Sequence, residues 1–108
     1  MTDALENLYA VVKSRKEHFS EGSYTCYLFS QGLDKILKKC GEECAEVIIA
    51  AKNGVAGDTV GEISDLLYHL VVLCAEQGIG LPLIEAELAE RARKIGNLKQ
   101  AHASDPES

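Results

Sequence analysis

The chain has no run of about 18 apolar residues, so a membrane-spanning helix is not expected. It is also short of positive charge. Eleven basic side chains stand against 17 acidic ones, for a formal charge of −6. General nucleic-acid binding asks for the opposite balance, so no nucleic-acid partner is expected. The four cysteines, Cys26, Cys40, Cys44 and Cys74, form no C-x-x-C pair, which removes the usual zinc spacing. A Cys40–Cys44 bond would span one helical turn and tie nothing distant together. The opening stretch MTDALENLYAVVKSRKEHF carries acids and lacks an apolar signal core. A cytoplasmic protein with reduced thiols is the expectation, with Cys40, Cys44 and Cys74 as small core residues. There is no internal repeat and no strand-period segment of note. Only SYTCYLF has the composition of a short extended piece.

What remains is helical. Apolar residues make up 46% of 108, as in a folded single domain. We expect that domain over residues 1–98 and a flexible tail over 99–108, where AHASDPES lacks any periodicity. Leu5, Leu8, Tyr9 and Val12 recur at i, i+3, i+4 and i+7, the mark of an amphipathic first helix, with Asp3 as its N-cap. Residues 20–32, SEGSYTCYLFSQG, break the period and read as a long or irregular connection of the kind that often carries function. A second helix is predicted from about Leu33 to Asn53, ended by Gly54. It carries a polar stripe of Lys35, Lys39, Glu42, Glu43, Glu46 and Asn53. Beside that runs an apolar stripe of Ile36, Leu37, Cys40, Cys44, Val47, Ile48 and Ala51.

Asp58 or Thr59 is the expected cap of a third helix running from about Val60 to Gln77. That helix is apolar nearly all round, which a short chain hardly covers alone. A fourth helix follows from about Leu83 to Ile95, with Pro82 at its start. The fold class is therefore all-α, a bundle of four to five helices completed by homodimerisation.

The chemistry lies in the carboxylates. Glu43 and Glu46 are spaced i, i+3, and Glu62 and Asp65 repeat that spacing on the next helix. A tight turn makes the two helices antiparallel, so the pairs face each other. Four converging carboxylates cannot all stay ionised without compensation. A hard divalent cation on oxygen ligands, Mg²⁺ or alternatively Mn²⁺, resolves this. The plainer reading is a solvated acidic face. A di-iron bundle is excluded because no Glu-x-x-His is present on either helix. Lys35, Lys38 and Lys39 stand beside the acids. They suit phosphate oxygens, or simply pair with Glu42 and Glu43 one turn on.

SYTCYLFSQGLDKILKKCGEECAEVIIAAKNG followed by EISDLLYHLVVL closely resembles the phosphoribosyl-ATP pyrophosphohydrolase family of histidine biosynthesis, over about Ala4 to Leu98. The E-x-x-E and E-x-x-D pairs are also those of the wider all-α NTP pyrophosphatase superfamily. The resemblance implies Mg²⁺-dependent hydrolysis of the α–β phosphoanhydride of phosphoribosyl-ATP to phosphoribosyl-AMP and pyrophosphate. It implies a homodimer or a larger assembly of homodimers. Glu43, Glu46, Glu62 and Asp65 are carried over as metal ligands. Glu42 matches the family's double Glu, and Glu42, Glu43 and Glu46 are the catalytic acids among which the base is sought. Ser23, Tyr24, Thr25, Lys35, Lys38, Lys39 and His69 are the substrate-binding set. For Tyr24 and His69 core packing is the competing reading, and His69 stands i+4 from Asp65, in reach of its carboxylate. No fused cyclohydrolase domain is expected in this length. A pyrophosphatase cleansing the nucleotide pool, or a non-catalytic helical dimer with a structural divalent ion, are the rival functions.

Overall fold

The computed structural model describes residues 3–95. The expected tail at 99–108 and the domain end at 98 lie outside them. Five helices follow in order: α1 (Asp3–Glu17), α2 (Tyr24–Gln31), α3 (Leu33–Asn53), α4 (Ala56–Glu76) and α5 (Leu81–Lys94). There is no strand among the described residues.

The 21-residue helices α3 and α4 make the largest contact, and only Gly54 and Val55 join them, so they form an antiparallel hairpin. Gly54 supplies the turn. Its φ of 80° and ψ of 11° are left-handed, where a side chain is disfavoured, and its N–H closes α3 onto Ala51. α1 lies on α4, and α2 bridges α1 and α3. α5 leaves α4 across a bend of 117°. No single described helix is long and apolar enough to cross a membrane.

The core forms where α1, α2, α3 and α4 meet. Val12, Leu28, Ile36, Cys40, Val71, Val72 and Ala75 are buried there, with Leu5, Leu8, Tyr9, Phe29, Tyr68 and Leu73 packed around them. Lys16 reaches across from α1 to the carbonyls of Ala75 and Glu76 at 3.1 and 3.3 Å. It adds a charged donor to the carbonyls at the end of α4, where the helix dipole favours a cation.

Several expectations need correction. Residues 24–31 are a helix, not an irregular or extended stretch. Ser23 caps it by accepting from the Cys26 N–H at 3.2 Å, and Leu28 is wholly buried. Asp3 lies inside the first turn of α1 rather than before it. α4 begins at Ala56, earlier than a cap at Asp58 or Thr59 allows. The carbonyl of Val55 receives the N–H groups of both those residues, with no side-chain cap. α5 starts at Leu81 rather than Leu83, with Pro82 in its first turn as expected. Cys44 is exposed and Cys74 half-buried, while Cys26 and Cys40 are buried.

The orientation of α3 is the main correction. Its buried residues are Ile36, Cys40, Glu43 and Ala50, a face that straddles the boundary between the polar and apolar stripes. Leu37, Cys44, Ile48 and Ala51, four of the seven residues of the expected core stripe, point outward instead. α4 behaves likewise: His69, Val71, Val72 and Ala75 are buried, while Val60, Ile63, Leu67 and Leu70 are exposed. An apolar recess of about 570 Å³ opens on this side, between Leu5, Leu37, Leu67, Leu70, Cys74 and Ile84.

Leu28 tests whether α2 belongs to the core. Leu28→Ala should lower the unfolding free energy by about 2–5 kcal/mol in denaturant melts, the usual cost of a cavity at a fully buried leucine. A loss under about 1 kcal/mol would mean that α2 packs only superficially.

Candidate active site

The hairpin brings the acids of α3 and α4 together. One carboxylate oxygen from each of Glu43, Glu62 and Asp65 lies within 4.8 Å of the other two. Glu43 is only 7% exposed, Glu62 is half-buried and Asp65 is exposed, so the trio runs from the core to the surface. Glu46 is within hydrogen-bond reach of both Glu43 and Glu62. All four expected ligand residues therefore share one locus. A cleft of about 580 Å³ opens over it, with Glu46, Asn53, Asp58, Glu62 and Asp65 among its walls.

The electrostatics are unfavourable without a cation. Burial, then a hydrogen bond and charge from Glu46, then the charge of Asp65, push the Glu43 carboxyl from its ordinary 4.5 up to about 7, against the opposing pull of Lys39. Glu62 is raised as well, by burial first and then by Glu46, Asp65 and Asp58. Among the described residues, Oε2 of Glu43 and Oε2 of Glu62 are buried side-chain atoms without a hydrogen-bond partner. Such oxygens are costly unless something binds them. An all-oxygen, anionic donor set with unused buried lone pairs fits a hard divalent cation.

The remaining expected residues fall in two groups. Lys39 Nζ lies 3.3 Å from Glu42 Oε1 and 3.8 Å from Glu43 Oε1, so both one-turn pairs form. Burial opposes the Lys39 charge, but Glu42, Tyr24 and Glu43 outweigh it and raise its pKa. Glu42 itself is exposed on the outer side of Lys39 and stands outside the trio. Lys38 is exposed, and Lys35 Nζ sits 5.9 Å over the Tyr27 ring.

Ser23, Tyr24 and Thr25 cluster at the start of α2. The Ser23 hydroxyl is committed as the helix cap, and the Thr25 and Tyr68 hydroxyls are hydrogen-bonded to each other. The Tyr24 hydroxyl pairs with His69 Nε2 at 3.1 Å. His69 Nδ1 pairs with the main-chain oxygen of Asp65 at 2.8 Å rather than with its carboxylate. A histidine one turn after Asp65 and buried to 5% exposure faces the preceding turn of its own helix, which is why it meets the carbonyl. Both ring nitrogens of His69 thus have a partner within the fold.

Sequence reasoning missed Asp58 and Asn53 as cleft walls, because Asp58 was read as a helix cap. It also missed Tyr27 and Tyr68. Tyr27 stands one turn after Tyr24, a spacing that becomes meaningful once residues 24–31 are known to be helical.

The comparisons agree on one family. A family model described as phosphoribosyl-ATP pyrophosphohydrolase matches residues 5–92. A protein of Clostridium novyi named phosphoribosyl-ATP pyrophosphatase is 52% identical over 97 residues, covering 90% of this chain and 88% of its own. One of the same name from Pelotomaculum thermopropionicum is 54% identical over 92 residues, covering 85% and 94%. Another from Listeria monocytogenes is 55% identical over 95 residues, covering 88% and 91%.

The raised Glu43 pKa makes a signed prediction. Between about pH 4.5 and 7 the folded carboxyl retains a proton that the unfolded chain has lost. Stability should therefore fall as pH rises through this window. Melts in chelator between about pH 4.5 and 8 should show the fall, and Glu43→Gln should flatten much of it. An unchanged slope in the variant would assign the effect to other groups.

Proposed function

The chain is an enzyme of the phosphoribosyl-ATP pyrophosphohydrolase family, and from that premise we propose that it hydrolyses the α–β phosphoanhydride of phosphoribosyl-ATP. The products are phosphoribosyl-AMP and pyrophosphate, in the cytoplasmic synthesis of histidine. The observation that carries the site assignment is the pair of partnerless, buried carboxylate oxygens of Glu43 and Glu62 beside Asp65.

Glu43, Glu62 and Asp65, with Glu46 against them, would hold Mg²⁺ or alternatively Mn²⁺. When bound, the cation offsets charge that builds on the leaving pyrophosphate and on the attacked phosphoryl oxygens. The chain's own part is positioning. Its fixed carboxylates meet no reorganisation cost at the moment of reaction. Glu46 lines the open cleft and borders the trio, so its carboxylate suits the acceptance of a proton from the attacking water. Glu42 holds Lys39 on the far side, which keeps one ammonium group at the edge of the anionic cluster for a phosphate oxygen. Lys35 and Lys38 extend that positive edge along α3.

The test is turnover of phosphoribosyl-ATP against ATP, dCTP and dUTP, with Mg²⁺ and with chelator. Phosphate-chain cleavage should be confined largely to phosphoribosyl-ATP and should vanish in chelator. Broad turnover of the other nucleotides would favour a pyrophosphatase of the nucleotide pool. Asp65→Asn keeps the shape and removes one ligand charge, and its activity should fall at least about a hundredfold. Near-normal turnover by that variant in saturating Mg²⁺ would remove Asp65 from the metal's ligands.

The same reading includes a homodimer. The exposed row Ile63, Leu67 and Leu70 on α4, with Leu37 and Ile48 on α3, supports a second copy as its cover, and paired dimers would make a larger assembly. Sedimentation at micromolar concentration should give a species of at least twice 11.7 kDa. A single 11.7 kDa species would sink the dimer.

A further inference from the structure

A separate recess of about 430 Å³ lies between the end of α1 and the start of α2, lined by Phe19, Gly22, Ser23, Tyr24 and Tyr27. Three of the five lining residues are aromatic and none is charged, while the Lys35 ammonium stands 5.9 Å over the Tyr27 ring. Phe19 is 75% exposed there, far more than a phenylalanine usually is. Tyr24 and Tyr27 stack with centroids 6.1 Å apart and 25° between planes, and Tyr24 stacks on Tyr68 at 6.2 Å. The rings thus form a row rather than isolated contacts.

This row is tied to the carboxylate site. The carbonyl of Asp65 can only accept, so Nδ1 of His69 carries the proton that it receives. In the neutral ring Nε2 is then an acceptor, and the Tyr24 hydroxyl donates to it. His69 also packs edge-on against Tyr24 at 5.8 Å and Tyr68 at 4.9 Å. One buried side chain therefore fixes the ring row to the very turn of α4 that carries Asp65. Tyr24 is close enough to Glu43 and Lys39 to feel both charges.

We propose that this row is the wall that receives the adenine base of the nucleotide while the phosphates lie over the carboxylates, and that His69 is a positioning residue holding Tyr24 in it. The inference rests on the pyrophosphohydrolase reading. A polyphosphate anchored at the acids brings its base to a neighbouring surface, and a flat π-system prefers offset aromatic faces. The uncharged lining suits a base better than a ribose phosphate, which asks for cations.

Calorimetric titration separates the base from the phosphates. The two probes are ATP and inorganic tripolyphosphate, each with Mg²⁺, the second being a phosphate chain without a base. Wild type should bind ATP at least about tenfold more tightly, the worth of one good stacking contact. Tyr27→Leu and Phe19→Leu should weaken ATP by about five- to thirtyfold and leave tripolyphosphate within about twofold. Tyr24→Phe removes only the hydroxyl, and it should lose part of the ATP preference without unfolding. His69→Gln keeps an acceptor near Nε2 and should retain most of that preference, whereas His69→Ala loses it. The Tyr24→Phe, His69→Ala double variant should bind ATP no worse than His69→Ala alone, because both substitutions cut one bond. Equal affinity of wild type for the two probes, no ATP binding, or equal weakening of both probes in the ring variants would overturn the wall. Additive losses in the double variant would overturn the positioning role. These titrations need no turnover, so their failure is distinct from a failure to hydrolyse phosphoribosyl-ATP.

Discussion

Glu43 occupies the buried face of α3, between Cys40 and Ala50, and the helix cannot turn it outward without exposing Ile36 as well. A carboxylate in that position must be neutralised, paired or bound. Lys39 neutralises it only in part, since its ammonium is nearer to Glu42. Every other feature of the hairpin sharpens the conflict. The two-residue joint at Gly54 and Val55 sets Glu62 and Asp65 opposite Glu43, and Glu46 closes the remaining side. The contact between α3 and α4 thus contains a polar defect in the middle of the largest interface of the fold. Such a defect weakens a folded chain, and a bound cation is the compensation its oxygens suit.

α3 is consequently a helix with three uses. Ile36, Cys40 and Ala50 are buried, Glu43 reaches the acid trio from within, and Glu46 lines the cleft. Leu37 and Ile48 face away from all of these. α1 packs on α4, where Lys16 ties the end of that helix to α1 and Tyr9 bonds the Ile79 carbonyl at 2.9 Å. The apolar recess beside α4 is open.

Much of this was legible in the sequence. Periodicity marks α3 to the residue and α4 to within four residues at its start, because long amphipathic helices repeat their signal over several turns. The i, i+3 acid pairs were readable for the same reason. The rotation of α3 was not. Its polar and apolar stripes adjoin, and no local rule says that the buried arc should cross their border and take in Glu43. α2 was hidden because eight residues hold too few turns to show a period, and its aromatic and hydroxyl residues weigh against a helix. The partners of His69 were hidden because the preceding turn offers both a carboxylate and a carbonyl, and only side-chain direction distinguishes them.

Gly32 is the sole residue between α2 and α3. It ends the first helix through its N–H to Leu28 and starts the second through its carbonyl to Ile36, at a φ of 92° that favours glycine. This makes the joint intolerant of any change in chain length. One inserted residue would turn everything before it by about 100° relative to α3, carrying the tyrosines away from the acids. The stretch from His18 to Ser23 is longer, but it too is held, by Gly22 at a φ of 83° and by Ser23 as the cap of α2. Insertions and deletions among descendants of this chain should therefore be purged at Gly32. The spacing between SYT and the first glutamate would then stay fixed.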